Sequence, residues 1–302
     1  MKKQKSLIVI CGSTATGKTD IAIAVAKHFN TEIISADSRQ IFRETNVGTA
    51  KPSAQQLKEV PHHFINSHSI HDAMNTGIYE DACIALLDNL FAKQGTVVMA
   101  GGTGLYINAV LNGIDNLPTS DAHVRNELQL TFNEKGITAL QEQLKRLDPV
   151  TFSNIDLQNP NRVMRALEVC LVTGKPFSSF LNRKKTERNF KSIVIGIEKN
   201  RSELYNGINQ RVDKMIEDGL VKEAEELLPL RHLNALQTVG YKELFDYFEN
   251  KISLPEAIEK IKQHTRNYAK RQLTWFKKTE GIVWQKNAEE VISFLKGLKF
   301  EV

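Results

Sequence analysis

The residues best suited to chemistry begin at position 12. Gly12, Gly17, Lys18 and Thr19 stand in "GSTATGKT", residues 12–19, with the apolar run "SLIVIC" before it and "DIAIAVAKHF" after it. This is P-loop spacing in its required order of strand, glycine loop and helix. Glycine lets backbone N–H groups converge on phosphate oxygens, and the helix amino end adds partial positive charge. Lys18 is placed to reach a terminal phosphate, and Thr19 to ligate Mg²⁺. Gly12, Ser13, Thr14, Ala15, Thr16, Gly17, Lys18 and Thr19 are therefore expected to hold a diphosphate or triphosphate. The second group is Asp37, in "IISADSRQ". A parallel sheet gathers the carboxyl ends of its strands on one edge, so Asp37 is expected on the same side as the P-loop. The residues alone leave two jobs open for it: an acid–base role toward substrate, or capping the next helix together with Ser38.

What is absent narrows the choice. The run "GTVVMA", 95–100, is followed by Gly101-Gly102-Thr103-Gly104, where a nucleotide hydrolase would often place an acid, and no Asn-Lys-x-Asp sequence occurs. A GTPase is not expected. An ATP-binding small-molecule kinase of the shikimate or nucleoside-monophosphate kind is the alternative, because it also joins a P-loop to an acid after the second strand. Such a kinase needs a lid with phosphate-facing arginines, a part for which "NRKKTER" could be mistaken. An RNA-binding P-loop protein without catalysis is a third reading.

The elements that must position these groups read as alternating strands and helices. Strand candidates are 6–11, 31–36, 95–100, 192–197 and, more weakly patterned, 281–285, separated by helical patterns. This predicts an α/β protein: a P-loop NTPase-like parallel sheet flanked by helices, with a helical insertion domain. The expected division is a first part of the core over 1–114, an insertion over 115–190 and the rest of the core, with basic C-terminal helices, over 191–302. Within the insertion, "LPTSDAHVRNELQLTF" opens at a Ser/Asp cap, and "NPNRVMRALEVCLVTGKP" is bounded by Asn159, Pro160, Gly174 and Pro176. Val163, Leu167, Cys170 and Leu171 are expected to form its apolar stripe, with Arg162 and Arg165 off it. Later, 202–228 and 253–278 each read as a long helix.

The 302 residues, 41% hydrophobic and 25% charged, suit an ordinary globular chain of one or two domains. No apolar run approaches the roughly 18–20 residues of a membrane span, and a cleaved leader would remove the P-loop, so a cytoplasmic protein is expected. Cys11, Cys83 and Cys170 are widely spaced and read as buried free thiols. Net charge is only +5, but Lys260, Lys262, Arg266, Lys270, Arg271, Lys277 and Lys278 follow one another with no acid between them. Tyr268, Trp275 and Phe276 are interleaved with them. "NRKKTERNFK", 182–191, is a second basic cluster. Two basic regions suit a long polyanion better than a small metabolite, although either could be a solvated face. The four histidines of "HHFINSHSIHD" lack the spacing of a zinc site.

In order along the chain, "GSTATGKT", "ISADSRQIF", "NVGTAKPS", "VPHHF", "GGTGLYINAVLNG", "QNPNRVMRALEV", "VGYKE" and "TRNYAKRQLTWF" resemble the tRNA dimethylallyltransferases, also called tRNA isopentenyltransferases, over nearly the whole length. The resemblance implies transfer of a dimethylallyl group from dimethylallyl diphosphate to N6 of the adenosine just 3′ of the anticodon, in tRNAs reading codons that begin with U. It implies Mg²⁺ as cofactor and the tRNA anticodon stem-loop as partner. No membrane partner is expected, and a monomer is. By the same resemblance Asp37 is the general base, Thr103 lies beside the reacting groups, and Thr19 and Arg211 serve the diphosphate. Asp37, Ser38, Arg39 and Gln40 grip the target nucleotide, with a second segment at Gln158, Asn159, Pro160, Asn161 and Arg162. Arg125, Lys270 and Arg271 are further tRNA contacts, Arg266 and Lys270 are spaced to follow the phosphate backbone, and Trp275 and Phe276 are expected in the core. Ser13 departs from the family's proline, which leaves the loop without that stiffening. With no carboxy-terminal zinc-finger extension, the bacterial type is expected.

Overall fold

The computed structural model describes residues 5–181 and 186–298. The chain forms two compact units, Met1–Asn112 with Glu187–Val302, and Gly113–Thr186. The first begins with β1 (Ser6–Gly12), α1 (Lys18–His28), β2 (Ile33–Ser35), α2 (Ala54–Glu59), β3 (His62–His63), α3 (Thr76–Phe91), β4 (Thr96–Gly101) and α4 (Gly104–Asn112). The second unit holds α5 (Ala122–Leu147), α6 (Pro149–Asn154) and α7 (Pro160–Thr173). The chain then returns to the first through β5 (Lys191–Ile197), α8 (Arg201–Glu217), α9 (Leu220–Leu227), α10 (Tyr241–Phe248), α11 (Leu254–Phe276), β6 (Val283–Gln285) and α12 (Ala288–Gly297).

The six strands form one sheet in the order β3-β2-β4-β1-β5-β6, and every pairing is parallel. β1 lies at the centre and is buried along its whole length, as a strand covered on both faces must be. Its side chains alternate between two cores. Leu7, Val9 and Cys11 join the core that contains residues of α3, α4 and α9–α11, while Ile8 and Ile10 join that of α1 and α12. At the strand ends, a Cβ on Gly101 would stand 2.1 Å from the Ala36 carbonyl oxygen, and one on Gly102 would stand 2.3 Å from Gln272 Nε2. Only glycine lets the end of β4 close on the end of β2 and on α11. That approach puts Thr103 beside Asp37.

The helical unit has its own core, including Leu128, Leu140, Leu144, Val163, Met164 and Leu167. α7 starts at Asn159, whose side chain caps the Arg162 N–H, and stops at Gly174 in a left-handed conformation (φ 67). α5 bends at Gly136 (φ 72, ψ −175). Asp148 and Glu168 pin this unit from inside. Both are almost wholly buried, Asp148 accepting from Thr151 and Ser178 and Glu168 from Ser120 and the Asp121 N–H.

The structure departs from the sequence reading at several places. The 202–228 helix is two helices, because Asp218 ends α8 and Gly219 (φ 101) turns the chain before α9. His62 and His63 form a sixth strand too short for periodicity to reveal. Leu171 is 43% exposed rather than part of the α7 stripe, its helical position turning it past the buried face. Trp275 is 40% exposed and only Phe276 is core, since adjacent helical residues point about 100° apart. All three cysteines are buried and free. No helix among the described residues is long and apolar enough to cross a membrane.

Candidate active site

A cleft of about 1130 Å³ opens where β1, β2 and β4 end, lined by the P-loop, Asp37–Gln40, residues 48–52 and cleft-facing residues of α8 and α11. The loop turns into α1 through Ala15, a non-glycine residue at φ 63, and through Gly17 at φ 84, which caps the helix. A left-handed alanine carries backbone strain of the kind found at ligand sites. Its methyl packs against the cluster of Leu204, Ile208 and Ala269, which holds the turn in place.

Three bonds stiffen the loop at Ser13 and Thr14. The Ser13 carbonyl accepts from Thr16 Oγ1 at 2.9 Å and from Lys18 Nζ at 2.5 Å. The Thr14 N–H donates to Gln272 Oε1 at 2.9 Å, and Gln272 Nε2 donates to the Gly102 carbonyl at 2.8 Å. One α11 side chain thus joins the P-loop to the end of β4. The Thr14 N–H is therefore committed to Gln272, whereas the sequence reading aimed it at phosphate, and Lys18 is bonded across its own loop.

Asp37 is the carboxylate that faces this cradle. Its Oδ1 accepts from Arg39 N at 2.9 Å and Gln40 N at 3.2 Å, so capping, one of the two jobs left open by sequence, is met by one oxygen. No described residue bonds its Oδ2. Thr103 Oγ1 accepts from the Ser38 N–H at 3.0 Å and bonds Ser38 Oγ at 3.3 Å, fixing the Asp37–Ser38 turn against β4. Beneath the turn, Tyr79 and Tyr106 stack with centroids 4.0 Å apart, and Tyr79 donates to the Ser35 carbonyl.

The field in the cleft is positive. Burial and the nearby Arg211 push the Lys18 ammonium down to about 8, opposed by Asp37. Burial also lowers Arg211 and Arg39, each opposed by Asp37. Three partly desolvated cations around one carboxylate leave an excess that an anionic ligand would neutralise. Arg211, on an acid-rich helix, is therefore turned inward rather than solvated, and Nη2 lies 3.5 Å from the Thr49 carbonyl.

The loop supplying that carbonyl hangs on Glu223 of α9. Its carboxylate accepts from the N–H groups of Asn46, Val47 and Gly48 at 2.8–2.9 Å and from the Tyr241 hydroxyl at 2.6 Å. Gln40 Nε2 donates to the carbonyls of Thr49 and Ala50, so its amide nitrogen is committed internally. Arg39 likewise donates to the carbonyls of Asn234 and Ala235.

Among the other expected site residues, Lys270 and Arg271 are exposed on α11, Arg271 lining the cleft with its guanidinium 5.7 Å from the Tyr268 ring centroid. Arg266 is instead tied to Asn209 Oδ1 at 2.6 Å, and Lys262 pairs with Asp213 at 2.8 Å, so these two basic residues are anchored to α8. In the helical unit, Arg125 bonds Asn161 Oδ1 at 3.1 Å, while Gln158 and Arg162 are exposed. Asn159 is occupied as a cap and Pro160 opens α7. Three of the four histidines are individually partnered: His62 with the Val60 carbonyl, His63 with Glu32, and His68 with Ser67. Residues 182–185 of the second basic cluster lie outside the described residues. Arg188 pairs with Glu80 at 2.5 Å.

The sequence reading missed Gln272 and Glu223 as individuals. Gln272 had a signal, being a polar residue in register with the buried Ile261, Ala269 and Phe276 of an otherwise basic helix. Glu223 had none that separates it from Glu225 and Glu226.

Fold and site together define a P-loop α/β protein whose anion cradle faces a carboxylate across an open cleft. The IPP transferase family model matches residues 40–279, and the chain belongs to that family. It is 50% identical to the tRNA dimethylallyltransferase of Christiangramia forsetii over 96% of this chain and 97% of that one. Identity to the Flavobacterium johnsoniae enzyme of the same name is also 50%, over 93% of each. The crystal structure of the full-length tRNA isopentenylpyrophosphate transferase from Bacillus halodurans matches with TM-score 0.72 and 35% identity, covering 97% of this chain and 96% of that one. A eukaryotic dimethylallyltransferase crystallised acting on tRNA matches with TM-score 0.79 and 25% identity, over 98% of this chain and 77% of that one. These relationships set the kinase alternative aside.

Proposed function

We propose that this protein transfers the dimethylallyl group of dimethylallyl diphosphate to N6 of the adenosine 3′ to the anticodon, in tRNAs reading codons that begin with U. The observation that carries the reading is the P-loop cradle with Lys18 and Arg211 set opposite Asp37, in a chain half identical to tRNA dimethylallyltransferases. In the reaction the allylic C–O bond breaks and diphosphate leaves with the electron pair, while N6 forms the new bond and loses a proton. Loop N–H groups, Lys18 and Arg211 offset the charge that develops on the leaving oxygens. Asp37, with Oδ1 held by its turn, presents Oδ2 to accept the N6 proton, a contribution of about 10²- to 10⁴-fold. Thr103 positions that turn through Ser38.

Among the described residues no cluster of three His, Cys, Asp or Glu could hold a metal by itself. The donor set, a Thr19 hydroxyl beside a phosphate cradle, fits Mg²⁺ held mainly through substrate phosphates and water. There the ion would neutralise leaving-group charge. The target base must leave its stack to be read, a task proposed for Ser38, Arg39 and the side-chain Oε1 of Gln40. Lys270 and Arg271 are proposed as backbone contacts, Arg125 as a further tRNA contact, and Gln158–Arg162 of the helical unit as a second segment for the target nucleotide. The proposed partner is the anticodon stem-loop, the proposed working unit one chain, and the proposed location the cytoplasm.

The test supplies purified protein with Mg²⁺, unmodified tRNA and allyl-labelled dimethylallyl diphosphate, with γ-labelled ATP run in parallel. Label is expected on the adenosine beside the anticodon, and Asp37→Asn is expected to lose at least about 10²-fold in kcat while tRNA affinity holds. Transfer of ATP phosphate alone would overturn the reading, and an active Asp37→Asn would overturn the base assignment.

A further inference from the structure

We propose that Glu223 is a positioning residue for the diphosphate, acting on Arg211 through the loop of residues 46–50. The inference rests on the reading of the P-loop cleft as a diphosphate site. Gly48, Thr49 and Ala50 line that cleft, and Glu223 stands behind them, bonded to the loop from its far side. An acid attached to the wall of an anion cleft opposes the ligand electrostatically. Its presence there calls for another task.

Residues 46–50 belong to no helix or strand, so side chains must fix their course. Glu223 Oε2 accepts from Asn46 N at 2.9 Å and Val47 N at 2.8 Å, while Oε1 accepts from Gly48 N at 2.9 Å and the Tyr241 hydroxyl at 2.6 Å. Successive N–H groups turned to one side form a concave nest that binds an anion, and here the anion is the protein's own carboxylate. Each of its oxygens is engaged twice. Tyr241 closes the loop from the same side: a Cβ on Gly48 would stand 2.6 Å from Tyr241 Cζ.

The anchored N–H groups aim the carbonyl that follows them. The Thr49 oxygen accepts from Gln40 Nε2 at 3.2 Å and lies 3.5 Å from Arg211 Nη2, the only hydrogen bond of that guanidinium among the described residues. Ala50 comes next at φ 45, a left-handed conformation uncommon for alanine, with its N–H returned to the Val47 carbonyl at 2.9 Å. The direction of the Thr49 carbonyl is thus set by the bonds to Glu223 before it and by this turn after it. Without that acceptor, the opposite charge acting on Arg211 is Asp37. A guanidinium drawn onto Asp37 would leave the diphosphate and cover the carboxylate assigned as base.

Calorimetric titration of inorganic diphosphate with Mg²⁺, at a temperature where each variant is folded, tests the assignment. Loss of the negative charge alone would tighten binding, whereas loss of position weakens it, so the sign of the change separates the two. In Glu223→Gln an amide nitrogen faces donors that need an acceptor, and Kd is expected to rise about fivefold to tenfold. Tyr241→Phe keeps all three N–H bonds and is expected to stay within about twofold. In an Arg211→Met background, Glu223→Gln should change Kd by less than about twofold, because the group through which it acts is gone. A general loosening of the fold would weaken both backgrounds alike. Glu223→Asp keeps the charge but withdraws the carboxylate by one methylene, and should weaken binding about threefold, again only with Arg211 present; it carries the test if the glutamine variant does not fold. Unchanged or tighter binding, or equal weakening with and without Arg211, would overturn the proposal. The titration needs no prenyl transfer, so a failed transfer assay would leave its result readable.

Discussion

Replacing Gln272 by leucine tests whether the cleft depends on one clamp. The side chain is 8% exposed and makes two hydrogen bonds, to Thr14 of the P-loop and Gly102 after β4, so it joins segments separated by 258 and 170 residues. Leucine keeps the approximate volume and removes both bonds, leaving the Thr14 N–H and the Gly102 carbonyl to find other partners. At about 0.5–1.5 kcal/mol net for each bond, the expected loss is about 1–3 kcal/mol of stability. In a chain this long that corresponds to a fall in Tm of about 2–8 °C. The functional effect should be selective. Freed from α11, the loop must be ordered by the ligand, so KM for dimethylallyl diphosphate is expected to rise about fivefold to tenfold while KM for tRNA stays within about twofold. Gln272→Glu separates the two contacts: the carboxylate can still accept from Thr14 but cannot donate to Gly102, and it adds negative charge beside the diphosphate. Its diphosphate KM should rise at least as far as that of Gln272→Leu. Thermal melts and steady-state kinetics with each substrate varied in turn read all of this. Wild-type Tm and diphosphate KM in Gln272→Leu would refute the clamp.

Three further outcomes follow from other named contacts. Glu223→Gln puts an amide where three backbone N–H groups and a tyrosine hydroxyl all need an acceptor, so about 2–4 kcal/mol of stability should be lost, against about 1 kcal/mol for Tyr241→Phe; equal losses in urea melts would contradict the network. Lys270→Ala and Arg271→Ala should each weaken tRNA binding and lower the slope of log K against log salt by about 0.7–0.9, leaving diphosphate binding unchanged; salt titrations with unaltered slopes would rule out phosphate contacts there. Burial pushes the Asp148 carboxyl up, but hydrogen bonds from Thr151 and Ser178 together outweigh it and hold the pKa below the usual value. A depressed carboxyl stabilises the fold above its unfolded pKa and loses that contribution as pH falls. Hydrogen exchange in residues 148–178 should therefore accelerate as pH drops below about 4, beyond the intrinsic pH dependence, and Asp148→Asn should largely remove that response.

Read without coordinates, the sequence already carried the parallel α/β class, the P-loop and the placement of Asp37. Each rests on local rules: β-branched runs mark strands, glycine with lysine marks a phosphate loop, and parallel strands share a carboxyl edge. The caps at Asn159 and Gly174 and the start of α11 at Ser253 were legible for the same reason, because a cap is decided by a few adjacent residues. The break at Gly219 was not, since a glycine inside an amphipathic pattern is compatible with either a continuous or a broken helix. Nor was the fate of Trp275, because one step around a helix separates core from solvent.

Tertiary structure decided which polar side chains are spent on the scaffold and which are left for chemistry. Asp37 gives one oxygen to its own turn, Gln40 gives its amide nitrogen to Thr49 and Ala50, and Arg266 is drawn away to Asn209, while Arg211 turns inward. Sequence names the groups able to do the work. Which of them remain free depends on partners tens to hundreds of residues away, and chain periodicity carries no record of those contacts.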